Sequence, residues 1–153
     1  MDASRGQRYL RPDWFTRTIL NPAGNLLMRL GISIYGSRIL AVRGRKSGQW
    51  RTTPVNLLEY QGQQYLVAAR GVTQWVRNVR AGSPAELRLG SRRQPLRLVE
   101  LADDQKLDVL RAYLRKWRWE VGQFFEGVGP EAAEADLRRI APNHPVFRIT
   151  PAA

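Results

Sequence analysis

Between Ile39 and Ala69 three β-rich runs are separated by turns too short to hold a helix. Ile39 to Val42 leads into Gly44-Arg45-Lys46-Ser47-Gly48, where two glycines enclose polar residues and mark a turn. Arg51 to Tyr60 is a second run, Gln61-Gly62 a second turn, and Gln64 to Ala69 a third run. Strands joined this tightly pair antiparallel, because parallel neighbours need a crossover of about a dozen residues or more. The three runs are expected to form an antiparallel meander.

The rest of the chain adds helices and a few more strands. Asp13 caps a short helix from Trp14 to Leu20, and Asn21-Pro22 restarts a second one that carries Leu26, Leu27 and Leu30 and stops at Gly31. These two helices read as core elements or as an amphipathic pair lying on a membrane surface. Thr73 to Ala81 is helical, with Thr73 as N-cap and Gly82 as stop. Ala85 to Leu89 and Leu96 to Leu101 form a hairpin around Gly90-Ser91. Asp103 or Asp104 caps a long helix reaching about Trp119, with Leu107, Leu110, Tyr113, Leu114 and Trp117 on its apolar face. Pro130-Glu131 opens a shorter helix to Ile140, and Pro145 to Thr150 is a final strand. Strands and helices do not alternate as in a doubly wound sheet, so a small antiparallel barrel with helical decoration is expected.

Several chemistries are excluded by residue types alone. The 153 residues contain no cysteine and one histidine, His144. Disulfides, thiolate metal sites, iron–sulfur clusters and cysteine nucleophiles are therefore out of reach, and no metal site is expected. His144, in a proline-bounded loop without an evident carboxylate partner, reads as structural. The acids Asp103, Asp104, Asp108, Glu131, Glu134 and Asp136 fall at helix N-termini, where they complement the helix dipole.

The charge points to an anionic partner. The chain carries 25 basic and 13 acidic residues, a net +12. Residues 14–85 hold ten of the bases and one acid, Glu59, so +9 of the total sits there. Nucleic acid, an anionic membrane and a multiply charged small ligand all suit such a field. The N-terminus is polar and no run is apolar enough to span a bilayer, so a cytoplasmic protein, with membrane-surface contact as an option, is expected.

Two constellations stand out. Gly44 to Gly48, followed by Arg51-Thr52-Thr53-Pro54, gathers three cations and three hydroxyls around one hairpin. Glycine freedom lets backbone N–H groups converge, so the turn reads as a phosphate cradle or as a solvated basic turn. Trp75 and Asn78 share one helix face, as a ring-binding pair or as a core tryptophan beside a surface asparagine. Trp117-Arg118-Trp119 and Phe124-Phe125 form an aromatic cluster that could be core, interface or a hydrophobic substrate wall.

The run Leu40-Ala41-Val42-Arg43-Gly44-Arg45-Lys46-Ser47-Gly48-Gln49-Trp50-Arg51-Thr52-Thr53-Pro54-Val55 resembles the signature of the deazaflavin-dependent nitroreductase and quinone reductase family. Tyr65 to Gly71 is similar to that family's next strand, Trp75 to Ala81 to its Trp-x-x-Asn-Leu helix, and Pro145 to Pro151 to its last strand. The resemblance implies an α+β, mainly β fold: a six-stranded antiparallel split β-barrel with N-terminal and inserted helices. A single domain is expected, with a helical segment at 1–34, a barrel core at 35–101, and C-terminal helices and last strand at 102–153.

The same resemblance implies coenzyme F-420, a deazaflavin with a phosphate-bearing, multiply anionic tail. Its phosphate would fall on Arg45, Lys46, Ser47 and Arg51. Thr52, Thr53, Pro54, Val55 and Asn56 would line the ring, with Ala68, Ala69, Arg70 and Gly71 on the neighbouring strand. Gln74, Trp75 and Asn78 would close the site. Family acceptors are quinones, nitroaromatics and other electrophilic, often hydrophobic molecules, and Tyr113, Trp117 and Phe124 are candidates for the acceptor pocket. Nitro-reducing members place tyrosines around that pocket, whereas here Asn56 stands in one such place and Arg70 replaces a small polar residue. No catalytic side chain is implied, because the cofactor carries the hydride. FMN in the same barrel, a cofactor carrier without turnover and a basic nucleic-acid-binding module are the alternatives. A homodimer through exposed strands is an expectation by analogy.

Overall fold

The computed structural model describes residues 37–152. The two expected N-terminal helices lie outside the described residues. The remainder builds seven strands: β1 (Ser37–Arg43), β2 (Trp50–Asn56), β3 (Leu58–Tyr60), β4 (Gln63–Val67), β5 (Ala85–Leu89), β6 (Arg92–Glu100) and β7 (Val146–Pro151). Helix α1 (Gln74–Arg80) follows β4, and α2 (Leu107–Val121) and α3 (Glu134–Ile140) lie between β6 and β7. All strands join one antiparallel sheet in the order β2-β1-β5-β6-β7-β4-β3.

The strand count is seven rather than the expected six, and the cause lies at Leu57. The run from Arg51 to Tyr60 breaks there, and its halves occupy opposite ends of the strand order. One residue advances the chain by only about 3.5 Å. The two edges of the sheet must therefore approach each other at Leu57, and the sheet curls. The expected meander is thus two separate hairpins, β1–β2 and β3–β4, at opposite edges.

Turn chemistry fixes both hairpins. At the β3–β4 turn Gln61 and Gly62 have φ of 50° and 77°, the paired positive values of a two-residue hairpin turn. At the β1–β2 turn the Gly44 amide donates to the Gln49 carbonyl at 2.7 Å, and Gly48 takes φ 74°.

The curl encloses Leu40, Val42, Leu66, Leu87, Leu96 and Ile149. In β1, Leu40, Ala41 and Val42 are all fully buried, so this central strand is covered on both faces. A second core lies under α2, where Leu110, Tyr113, Leu114 and Trp117 pack against Phe125, Leu137, Ile140 and Val146.

The C-terminal helices begin later than expected. Asp103 and Asp104 sit in a separate 3₁₀ turn (Asp103–Gln105), and α2 starts at Leu107. Lys106, only 2% exposed, separates the two. Its Nζ donates to the Ala141 carbonyl at 2.6 Å and the His144 carbonyl at 3.1 Å, and pairs with Asp103 at 3.0 Å. That inward ammonium ties the start of α2 to the chain leaving α3. Similarly, Pro130 to Ala132 form a turn ahead of α3, held by Arg111 Nη1 donating to the Pro130 and Ala132 carbonyls. His144 is buried with its ring stacked on Phe125 at 4.1 Å. No helix among the described residues is long and apolar enough to cross a membrane.

Lys106→Met keeps the stem and removes the ammonium, so the His144 carbonyl loses its charged donor. Urea unfolding should show a loss of about 2 kcal/mol, and an unchanged midpoint would contradict the clamp.

Candidate active site

Where the sheet curls, β2 faces the segment that leaves β4. Arg51 to Asn56 form one wall and Val67 to Gly71 the other, and α1 caps one side with Gln74, Trp75 and Asn78. Tyr113 and Val121 of α2, with Phe124 just beyond it, complete a cavity of about 480 Å³. That volume is in the range of small-molecule and cofactor sites. Gly71, at φ 91°, turns the chain from β4 into α1, and its amide donates to the Ala68 carbonyl at 3.0 Å. Trp75 is fixed against Phe147, with ring centroids 5.4 Å apart.

The basic hairpin is tied to α1 rather than left as a free loop. Asn78 is buried, and its Oδ1 accepts from the Arg45 amide at 3.1 Å and from Arg45 Nη1 at 2.8 Å. Gln74 Oε1 accepts from the same Nη1 at 2.9 Å. The sequence placed Gln74 and Asn78 against a ligand. In the structure both line the cavity and also orient Arg45. Ser47 Oγ accepts from the Gln49 amide at 3.1 Å. A Cβ on Gly44 would lie 2.6 Å from that Oγ, so a side chain there would turn the Ser47 hydroxyl away from the Gln49 amide.

The residues expected at the cofactor thus fall into two groups. Arg51, Thr52, Thr53, Pro54, Val55, Asn56, Ala68, Ala69, Arg70, Gly71, Gln74, Trp75 and Asn78 come together around the cavity. Arg45, Lys46 and Ser47 do not line it, and sit at the exposed hairpin tip beside it. Of the acceptor-side candidates, Tyr113 and Phe124 reach the cavity. Trp117 does not: it is fully buried behind Tyr113, at 5.1 Å between ring centroids, and serves the core. The Arg70 guanidinium lies 6.0 Å from the Phe124 ring centre.

A polar cluster at the α2 side, with Ser37 and Asn56 buried and Glu120 half-buried, went unread in the sequence. Asn56 Nδ2 donates to Glu120 Oε2 at 3.3 Å, and Ser37 Oγ donates to Asn56 Oδ1 at 3.5 Å. Burial pushes the Glu120 carboxyl above its ordinary range, and the Asn56 hydrogen bond offsets part of that. Burial pushes the Tyr113 phenol up as well. Tyr113 and Glu120 are seven residues apart, two helical turns, and this was a local signal for a shared face. Asn56 joins them from 64 residues away in sequence, which no local spacing discloses.

A model of the family described as F420H(2)-dependent quinone reductase matches residues 12–122. The chain belongs to this family. No curated protein matches it. Among solved structures, an F420-H2 dependent reductase is 18% identical, with 75% of this chain and 94% of that chain covered and a TM-score of 0.52. A structure described as a domain-swapped dimer is 17% identical over 90% of this chain and 98% of that one, with a TM-score of 0.56. A protein of unknown function from Agrobacterium tumefaciens is 17% identical over 78% of this chain, with a TM-score of 0.53, and this chain spans about half (49%) of its length. At these identities the structural likenesses establish the fold, and the quinone reductase family match stands on the sequence.

Asn78→Ala removes two hydrogen bonds to Arg45 from a buried position. Stability should fall by about 1–3 kcal/mol in urea unfolding, and an unchanged value would mean that α1 does not hold the hairpin.

Proposed function

We propose that the cavity holds the ring of a reduced deazaflavin, coenzyme F-420, and that the acceptor is a quinone bound against the α2 side. The observation that carries this reading is the shape of the site. A largely apolar cavity of about 480 Å³ opens beside a cationic hairpin whose Arg45 is pre-oriented by Gln74 and Asn78. A tricyclic ring with an anionic tail suits that combination, and the family membership supports it. The curled sheet and its inserted helices are read here as a split barrel forming a single domain.

When bound, the deazaflavin supplies a hydride from C5. The protein binds and orients. Arg45 spends Nη1 on Gln74 and Asn78, so its other N–H groups can meet a phosphate without first being ordered. Lys46, Ser47 and Arg51 add donors around the same hairpin. Thr53, Pro54 and Val55 would press on one face of the ring, with Ala68 and Ala69 opposite. These small side chains permit the close approach that hydride transfer demands. Tyr113 and Phe124 would contact the acceptor. Nitroaromatics are a second acceptor class in this reading, with fewer tyrosines to hold them.

Lys46→Ala and Arg51→Ala should each weaken deazaflavin binding about tenfold, the worth of one charge-assisted hydrogen bond, without moving the unfolding midpoint. Tryptophan quenching reads the affinity, and FMN in parallel separates the two cofactors. Unchanged deazaflavin affinity in both variants would overturn the reading, and tight binding of FMN alone would replace the cofactor.

A further inference from the structure

Three arginines line the cavity, Arg51, Arg70 and Arg77, and among the described residues no carboxylate does. Arg51 stands on β2 just after the basic hairpin, and Arg77 lies on α1 beside Asn78. Asn78 ties α1 to that hairpin, so both of these arginines belong to the hairpin end. Arg70 lies elsewhere. It precedes Gly71, where the chain turns from β4 into α1, and its guanidinium carbon is 6.0 Å from the centre of the Phe124 ring. A cation at that distance is attracted to the ring, which holds the guanidinium along the apolar wall on the α2 side.

Arg70 is half-buried, and withdrawing a cation from water costs free energy. A neutral quinone offsets that cost weakly, with a carbonyl oxygen only. An anion offsets it with a charge-assisted hydrogen bond. The five N–H donors of a guanidinium let it keep a protein contact and still take a second partner.

We propose that Arg70 is a specificity-determining residue that selects acceptors carrying an ionised acidic group, a ring enolate or a carboxylate, beside the carbonyl to be reduced. This deepens the functional reading above and rests on it for placing the acceptor at the α2 side. The adjacent oxygens of an ionised 2-hydroxyquinone, one carbonyl and one enolate, suit the planar fork of a guanidinium as a carboxylate does. Reduction adds one hydride and one solvent proton to the quinone and leaves the ionised group as it was. The same arginine therefore holds acceptor and product. Negative charge grows on the acceptor as the hydride arrives, and the guanidinium offsets its repulsion with the ionised group.

The test compares two quinones of nearly equal size, neutral menadione and 2-hydroxy-1,4-naphthoquinone, which is ionised at neutral pH. Affinity is read on cofactor-free protein by tryptophan quenching, since Trp75 lines the cavity. Wild type should bind the ionised quinone about tenfold more tightly than menadione, the worth of one charge-assisted hydrogen bond. Arg70→Gln should erase that preference by weakening the ionised quinone alone, with menadione unchanged. Arg70→Lys keeps the charge without the fork and should retain a preference of about threefold. Arg51→Gln should keep the full preference, which separates Arg70 from the cations of the hairpin end. Thermal melting checks that the variants are folded, and if Arg70→Gln is not, the Arg70→Lys ratio decides. Deazaflavin binding by wild type is measured in parallel. Its loss would strike the functional reading alone, because the two quinones are compared without it. Equal affinity of wild type for the two quinones, or no binding of the ionised one, would overturn the inference. So would an undiminished preference in the Arg70 variants, or its loss in Arg51→Gln.

Discussion

The structure depends on one constraint: a single residue, Leu57, joins the two edge strands of a seven-stranded sheet. A flat sheet would hold those edges several strand spacings apart. The covalent link brings them together, and the curl follows. It packs Leu40, Val42, Leu66 and Ile149 inside, and it sets β2 opposite the chain leaving β4. The cavity is the gap left where these walls meet without pairing.

Around that gap the chain divides its labour by chemistry. Its cationic end is a hairpin whose tip would be floppy alone, and the buried Asn78 ties it to α1 through Arg45. Preorganisation of this kind matters more than the count of charges, because an arginine already held loses little freedom when an anion arrives. The α2 end is lined by Tyr113, Val121 and Phe124, with the hydrogen-bonded pair of Asn56 and Glu120 at its side. Three of the basic residues behind the net +12, Arg45, Lys46 and Arg51, are gathered at the hairpin beside the cavity.

Much of this was legible in the sequence because it is local. The two turns were visible in Gly44 to Gly48 and Gln61-Gly62, and the α2 face in the spacing of Leu107, Leu110, Leu114 and Trp117. The motifs that resembled the family also named most of the cavity wall. What was missed is non-local. A smooth β-rich run from Arg51 to Tyr60 hides a corner at Leu57, because propensity does not register which edge each half will pair with. Lys106 drew no reading in the sequence and is a buried clamp on carbonyls more than thirty residues away. Trp117, read both as a core position of its helix and as an acceptor-pocket candidate, is turned by that helix into the core. The spacing of Tyr113 and Glu120 hinted at a shared face, but the partner of Glu120, Asn56, lies 64 residues away.

The most direct test of the account is a single-turnover experiment. Protein holding stoichiometric reduced deazaflavin is mixed rapidly with menadione, and cofactor reoxidation is followed by absorbance. The account predicts a fast phase that saturates with quinone concentration and far outpaces the same mixture without protein. Bound cofactor that reoxidises no faster than it does free in solution would contradict the claim that this cavity brings cofactor and quinone together.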